Sequence, residues 1–134
     1  MALTSTHYQI NEGPKYLKSI NKFFSKTPPQ SIELDIQKLF DQLDYIFRDA
    51  VVWGDLSDKI CTLPFKKESY RLCKAYIPIS HQRLSPKRGA RLFLAKDDTA
   101  KKIFLILVMP KTMISAGSRR DLSDAEYKKL INGF

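Results

Sequence analysis

Residues 70–77 read YRLCKAYI, residues 91–95 read RLFLA and residues 102–109 read KIFLILVM. In the first stretch the character of the side chains alternates with a period of two, which is typical of a β-strand. The third is a continuous apolar run, the pattern of a strand buried on both faces. The polar residues 97–100 (DDTA) suit a hairpin connection between the second and third stretches. Together they predict a mainly antiparallel sheet in the C-terminal half of the chain.

Two amphipathic helices are predicted before this sheet. Pro14 suits a first helical turn, and apolar residues follow it at helical spacing from Leu17 to Phe24. The segment Thr27-Pro28-Pro29-Gln30 ends that helix and starts another, with Thr27 as its cap and Gln30 completing a capping box. An apolar stripe then runs from Ile32 to about residue 48. Two such helices in succession predict an antiparallel helical hairpin.

The remaining segments complete a predicted order of β-α-α-β-β-β-α. A first strand is expected at His7–Asn11, and Ser123-x-x-Glu126 opens a last helix that Gly133 closes. Residues 49–68 are expected to form a connecting loop with apolar anchors. The prediction is one α+β domain over residues 1–134, with its helices, the N-terminal helical hairpin among them, packed on one face of a mainly antiparallel sheet.

The composition excludes several classes of protein. With 134 residues, 43% of them hydrophobic, the chain has enough apolar material for one core and is not disordered overall. No apolar run approaches the roughly 20 residues that cross a bilayer. The first residues lack the charged and apolar regions of a secretory signal. We therefore expect a cytoplasmic protein without a membrane partner.

No metal or cofactor is expected. The two cysteines, Cys61 and Cys73, form no CxxC pair and have no histidine at metal-ligand spacing. They are most simply small hydrophobic residues in a reducing compartment. None of the 5 glycines falls in a GxGxxG or phosphate-loop pattern.

Positive charge is concentrated in the half of the chain that is predicted to form the sheet. Residues 1–65 hold 7 Lys/Arg and 8 Asp/Glu, whereas residues 66–134 hold 16 Lys/Arg and 6 Asp/Glu. A basic surface on a sheet and its adjoining loop suits a polyanion, most plausibly a nucleic acid. A basic surface that serves only solubility is the simpler alternative.

The loop of residues 80–90 carries most of the candidate phosphate contacts. Arg83, Lys87 and Arg88 lie in it, and Gly89 is expected to make it flexible just before Arg91. The same residues also suit a solvated basic hairpin. Arg119 and Arg120, before the last helix, are candidate RNA contacts or a polar linker.

Further residues have side chains that suit chemistry on RNA. Lys111 follows the apolar strand and is a phosphate contact or, if desolvated, a base; an ordinary surface lysine is the alternative. His81 is a possible general acid or a surface histidine. The tyrosines either stack on bases or pack in the core; they are Tyr70, Tyr76 and Tyr127.

Four motifs of the C-terminal half together resemble the RelE/ParE superfamily of toxins from bacterial type II toxin–antitoxin systems. They are KAYIP at residues 74–78, KRGARL at residues 87–92, the apolar strand that ends in MPK at residues 109–111, and DLSDAE at residues 121–126. The resemblance covers residues 70–131. Tyr76 stands where this family commonly has an arginine, and Met109 where it commonly has an aromatic residue.

The resemblance implies a RelE-like mRNA interferase, which is a ribosome-dependent endoribonuclease that inhibits translation and is silenced by a cognate antitoxin. Lys74, Arg91 and Lys111 match the basic positions of the family, and Lys87 and Arg88 match its basic turn. Metal-free RNA cleavage requires a base for the 2′-hydroxyl, a stabilised phosphorane and an acid for the leaving oxygen. Arg91 is then expected to stabilise the phosphate and Lys111 or Lys74 to transfer protons, with Tyr76 and His81 as lesser candidates.

Three alternatives remain open at this point. The first is a gyrase-inhibiting toxin of the ParE type, which cuts no RNA. The second is a basic RNA-binding module whose catalytic site has decayed, as the residues at positions 76 and 109 allow. The third is an interaction domain whose sheet or second helix grips a partner.

Overall fold

The computed structural model describes residues 2–114 and 121–134 of the chain. Its mixed sheet has five strands in the order β1-β5-β4-β3-β2, in which β1 runs parallel to β5 and the other pairs are antiparallel. The strands are β1 (Gln9–Glu12), β2 (Ile60–Lys67), β3 (Tyr70–Ile77), β4 (Ala90–Asp97) and β5 (Lys102–Pro110). The helices are α1 (Tyr16–Phe23), α2 (Pro29–Ile46), the short α3 (Lys111–Ile114) and α4 (Asp124–Asn132). The α+β class is as the sequence predicts.

The centre of this sheet is formed by the stretches at residues 70–77, 91–95 and 102–109. They correspond to β3, β4 and β5, and each pairs with the next in antiparallel register. The expected polar connection lies between Asp97 and Lys102. At α4, Ser123 and Glu126 make both hydrogen bonds of the predicted capping box, and Gly133 is the C-cap. The alternation in β3 and the capping box of α4 involve residues close together in the chain, so these two predictions hold in the fold.

The expectation of a loop over residues 49–68 is wrong, because residues 60–67 form strand β2. This strand pairs with β3 at the edge of the sheet, and its register shifts between Thr62 and Lys66. The irregular segment contains Pro64, which has no N–H to donate and is tolerated in edge strands. The register shift breaks the alternation of side chains, so the sequence carries no clear strand signal there.

The helices cover both faces of the sheet, whereas the sequence pattern predicts them on one face. Leu92 and Leu94 of β4 pack in a cluster with residues of α1 and α2. Phe93, between them in the sequence, packs on the opposite face with Tyr127 and Ile131 of α4. Every residue of β4 is consequently buried. The continuous apolar run of β5 already indicated a strand covered on both faces.

The start of α2 also differs from the predicted cap. Pro28 is the N-cap, and no side chain caps the helix there. The hydroxyl of Thr27 instead accepts a hydrogen bond of 2.7 Å from the Gln82 side-chain amide, which ties the start of α2 to the loop before β4. The helix ends at Ile46, about two residues earlier than expected. In the described part of the chain, no helix combines the length and apolarity needed to cross a bilayer.

A buried carboxylate attaches the N-terminal segment to the C-terminal part of α2. Asp44 accepts hydrogen bonds from the Ser5 hydroxyl (2.7 Å), the Thr6 N–H (2.8 Å) and the Trp53 indole N–H (2.9 Å). The His7 Nδ1 atom lies 3.1 Å from the same carboxylate, and His7 Nε2 donates to the Phe47 carbonyl oxygen at 2.8 Å. These contacts hold the segment that leads into β1 against the end of α2.

We predict that Asp44→Ala destabilises the protein by about 3 kcal/mol, because it leaves several buried donors without an acceptor. Asp41→Ala is the matched control, since the one hydrogen bond that Asp41 accepts from the described residues is exposed and comes from Gln37 within the same helix. It should change the free energy of unfolding by less than about 0.5 kcal/mol. Urea unfolding followed by circular dichroism measures both values. Equal stability of the two variants would contradict this role of Asp44.

Candidate nucleic-acid interface

Three of the predicted site residues lie together on one face of the sheet. Lys74 and Tyr76 are two positions apart on β3, and Tyr76 pairs with Arg91 across β3 and β4. Residues two apart on a strand share a face, and directly paired residues are neighbours on it. The Lys74 ammonium lies 5.6 Å from the centre of the Tyr76 ring, and the Arg91 guanidinium carbon lies 4.2 Å from it. We call Lys74, Tyr76 and Arg91 the strand cluster.

Arg91 is buried and binds the turn that precedes its own strand. Its Nη1 atom donates to the carbonyl oxygens of Pro86 (2.7 Å) and Ala90 (3.0 Å), and its Nη2 atom donates to that of Lys87 (2.9 Å). Only 5% of the residue is exposed. Burial lowers the pKa of the guanidinium, which nevertheless keeps its charge because its ordinary pKa is so high. The side chain therefore fixes the conformation of residues 86–90, which we call the basic turn. The sequence did not predict this contact.

Gly89 is a close-packing residue rather than a source of flexibility. A Cβ atom at this position would lie 2.2 Å from the carbonyl oxygen of Ile77 and 3.0 Å from the N–H of Ile79. Its carbonyl oxygen accepts the Lys111 N–H at 2.9 Å. Because only glycine allows this approach of two backbones, the basic turn is locked against the ends of β3 and β5.

Lys74 is paired with an acidic residue that the sequence analysis assigned no role. Its ammonium lies 3.1 Å from Oδ2 of Asp121, and the Tyr127 hydroxyl donates to Oδ1 of the same carboxylate. Burial acts to raise the pKa of Asp121, but the hydrogen bonds from Tyr127, the Leu122 N–H and Lys74 outweigh it, so the pKa is lowered overall. Burial, and then the Asp121 carboxylate, raise the pKa of Tyr127. Tyr127 is 5% exposed, which agrees with the packing interpretation of this tyrosine rather than base stacking.

The other predicted cations surround this cluster to different extents. His81, Arg83, Lys87 and Arg88 are exposed on the loop between β3 and β4. Lys111 is partly exposed at the start of α3, two residues after Met109, which pairs with Arg91. Lys111 therefore lies at the same end of the sheet as Arg91. Arg119 and Arg120 lie outside the described residues.

The arrangement supports anion binding more directly than metal chemistry. Among residues 2–114 and 121–134, no group of three or more His, Cys, Asp or Glu side chains is placed to hold a metal ion. Cys61 and Cys73 are free, and burial raises the pKa of the Cys73 thiol to about 11. The exposed cations of the basic turn lie next to buried charges that are already paired. Sequence reasoning missed Asp121 as a site residue, although it begins the motif at residues 121–126.

The chain was compared with family models, curated proteins and solved structures. No family model matches the chain, and no curated protein matches it. Among solved structures, it is similar to a chain of the archaeal RelE–RelB complex from Pyrococcus horikoshii OT3, with 15% identity and a TM-score of 0.41 over 79% of this chain and 97% of that chain.

We predict that Arg91→Ala lowers the free energy of unfolding by about 2 kcal/mol, because carbonyl groups of the basic turn lose a charged donor. The control is Arg88→Ala, which removes an exposed guanidinium of the same turn and should cost less than about 0.5 kcal/mol. Urea unfolding tests both variants. If Arg91→Ala is as stable as Arg88→Ala, the guanidinium does not organise the turn. Since loss of function in Arg91→Ala could follow from this destabilisation, that variant alone does not identify a phosphate contact.

We predict that Asp121→Asn reduces stability at neutral pH and that the deficit disappears in acid. The folded state lowers the pKa of Asp121, so its carboxylate contributes stability above the unfolded pKa of about 3.9. This contribution is lost as the pH falls through the lower folded value. Unfolding free energies measured between pH 7 and pH 2.5 should therefore converge below about pH 4. The exposed Asp49→Asn serves as control, and a deficit that persists undiminished at pH 2.5 would refute the assignment.

Proposed function

We propose that this chain is a toxin of the RelE/ParE superfamily that cuts messenger RNA on the ribosome and is neutralised by a cognate antitoxin protein. The observation that carries the proposal is the strand cluster beside the basic turn. Residues from two motifs that are distant in the sequence, Lys74 and Tyr76 in one and Arg91 in the other, lie in contact on one sheet face. The resemblance of these motifs to the family and the α+β fold support the same interpretation.

The exposed cations of the basic turn are the proposed phosphate contacts. Lys87 and Arg88 are exposed to solvent, whereas Arg91 donates hydrogen bonds to the carbonyl oxygens of residues 86, 87 and 90. This difference between Arg91 and its exposed neighbours changes the expectation that Arg91 itself stabilises the phosphate. Arg91 instead contributes its buried positive charge and shapes the turn that presents its neighbours.

Proton transfer in the proposed reaction is assigned to lysines near the same end of the sheet. Lys111 makes no ion pair or side-chain hydrogen bond within residues 2–114 and 121–134 and is the first candidate for base or acid. Lys74 is the second, held in place by Asp121. The ribosome would orient the message, and orientation alone can lower a barrier by about 7–11 kcal/mol. A site without a histidine at its centre is then sufficient.

The proposed protein partner is an antitoxin with an acidic, partly disordered segment. The net charge of the chain is +9, and the C-terminal half carries the excess. Complementary charge accelerates association and selects such a segment over basic or neutral ones. A segment of this kind would become ordered on contact with the basic face.

One observation favours a second function, in which RNA is bound but not cut. Both Lys74 and Arg91 are already engaged by groups of the protein itself, Asp121 and the carbonyl oxygens of the turn. A decayed site would keep such a charged scaffold and lose the chemistry. Its binding to RNA would weaken with salt without any new RNA ends.

The test is to induce the chain alone in cells and to map messenger-RNA 5′ ends. We predict growth arrest with new 5′ ends inside translated regions. Lys111→Ala should reduce cleavage at least about 100-fold if Lys111 transfers the proton. Lys18→Ala, which removes an exposed lysine of α1, is the control and should cut like the unmodified chain.

The outcomes separate the candidate functions. Growth arrest without new 5′ ends favours gyrase inhibition, and salt-sensitive RNA binding without arrest favours the decayed module. Arrest and cleavage that persist in Lys111→Ala, at equal protein level, would refute the role of Lys111. Absence of arrest, cleavage and RNA binding would refute the proposal as a whole.

A further inference from the structure

Two adjoining cavities open beside the strand cluster. One has a volume of about 330 Å³ and is lined by loop residues before β2 and by Cys61, and the other has a volume of about 180 Å³ and lies between α2 and the basic turn. Both cavities are lined by Tyr76 and Asp58. These two residues therefore form the boundary at which a single bound group would contact both spaces.

Tyr76 is suited to be an aromatic surface for a flat ligand. Its ring is partly exposed and is held by the Arg91 guanidinium, 4.2 Å from the ring centre. Arg91 is itself fixed by the carbonyl oxygens of the basic turn, so the ring is supported by a rigid group. Stacking of a base on such a ring contributes about 1–3 kcal/mol in single-stranded nucleic-acid binding.

The rim of the larger cavity carries two carboxylates, although the net charge of the chain is +9. Asp55 and Asp58 are both exposed there. One oxygen of Asp55 accepts the N–H and hydroxyl of Thr62, at 2.9 and 2.7 Å, which leaves Asp58 as the freer carboxylate. Asp58 has a left-handed backbone with a φ of 60°, which aspartate tolerates better than most residues.

These carboxylates disfavour the phosphate groups of an RNA and favour the N–H groups of its bases. They repel phosphate, so they do not extend the basic turn as a phosphate site. They accept hydrogen bonds, and the Watson–Crick edges of unpaired bases offer N–H donors. Guanine offers two adjacent donors, at N1 and at its amino group, which one carboxylate can accept together. Uracil offers a single N–H.

We propose that Tyr76 and Asp58 form a nucleobase subsite that prefers guanine, with the base stacked on Tyr76 and its Watson–Crick edge donating to Asp58. The inference rests on the proposed function in that the ligand is RNA. The phosphate attached to the base would lie toward Lys87, because the adjacent Pro86 lines the smaller cavity. Tyr76 then acts as a specificity residue rather than as an acid or base.

Binding of mononucleotides to the isolated protein tests the subsite without any cleavage. The four 5′-monophosphates of guanosine, adenosine, cytidine and uridine are titrated separately, with amide chemical shifts of the folded chain as readout. We expect guanosine monophosphate to bind tightest and uridine monophosphate weakest. Asp58→Asn should weaken guanosine monophosphate roughly tenfold, the size of one lost base contact, and leave uridine monophosphate nearly unchanged.

Matched variants distinguish a specific subsite from general electrostatics. Asp49→Asn makes the same charge change at an exposed residue that lines neither cavity and should leave the order of affinities intact. Tyr76→Phe keeps the ring and should retain guanosine monophosphate binding, whereas Tyr76→Leu should lose it. Equal affinity for all four nucleotides, or no effect of Asp58→Asn, would overturn the subsite.

Mapping of RNA ends in cells separates failure of the subsite from failure of the proposed function. Cleavage by the unmodified chain enriched at guanosine, with that enrichment lost in Asp58→Asn, supports both. If the unmodified chain and Asp58→Asn cut RNA with the same base preference, the proposed nuclease function stands and the proposed subsite is refuted. If the chain binds guanosine monophosphate selectively but cuts no messenger RNA, the proposed subsite stands and the proposed nuclease function is refuted.

Discussion

The candidate site depends on the hydrogen bonds between the Arg91 guanidinium and carbonyl oxygens of the turn before its own strand. A charge buried this far in a protein is stable only when hydrogen bonds satisfy it, and the turn of residues 86–90 provides the acceptors. The same contact gives the turn one shape. It also places a fixed positive group over the Tyr76 ring. Removal of this one side chain would loosen the basic turn and the aromatic surface together.

One face of the sheet carries most of the hydrophobic core, and the other face carries the strand cluster. The face covered by α1 and α2 contains most of the large buried side chains and no residue of the strand cluster. The opposite face is covered by α4 only in part, and the strand cluster lies at the end of it. Asp121, just before α4, reaches Lys74 there and connects the helix to the cluster. The Asp121 carboxylate thus contributes both to the packing of α4 and to the position of Lys74 in the candidate site.

Under the proposed function, acidic and basic groups around Tyr76 would contact different parts of one RNA strand. The exposed cations at residues 87 and 88 suit phosphate, and the carboxylate of Asp58 suits the edge of a base. A net charge of +9 would attract such a polymer without regard to its sequence. Discrimination between bases requires hydrogen-bond acceptors or donors at close range, which is why a few acidic residues inside a basic surface matter.

The sequence by itself determined the elements whose signals are local. Alternation marked β3, a continuous apolar run marked β5, and Ser123 with Glu126 marked the start of α4. The uneven distribution of charge also pointed to the basic turn. The alternation, the apolar run and the capping box depend only on neighbours within a few residues, and the charge distribution can be counted from the sequence, so no knowledge of the fold was needed.

Tertiary structure alone decided the contacts between distant residues. The strand β2 was missed because Pro64 and a register shift erase its alternation, and it is recognisable only through its pairing with β3. The partnership of Lys74 with Asp121 spans 47 residues, and no spacing rule predicts it. The burial of Arg91 and the position of Asp58 beside Tyr76 likewise depend on packing. An isolated sequence shows which side chains carry charge, but only the fold determines which of those charges are paired and which remain available to a ligand.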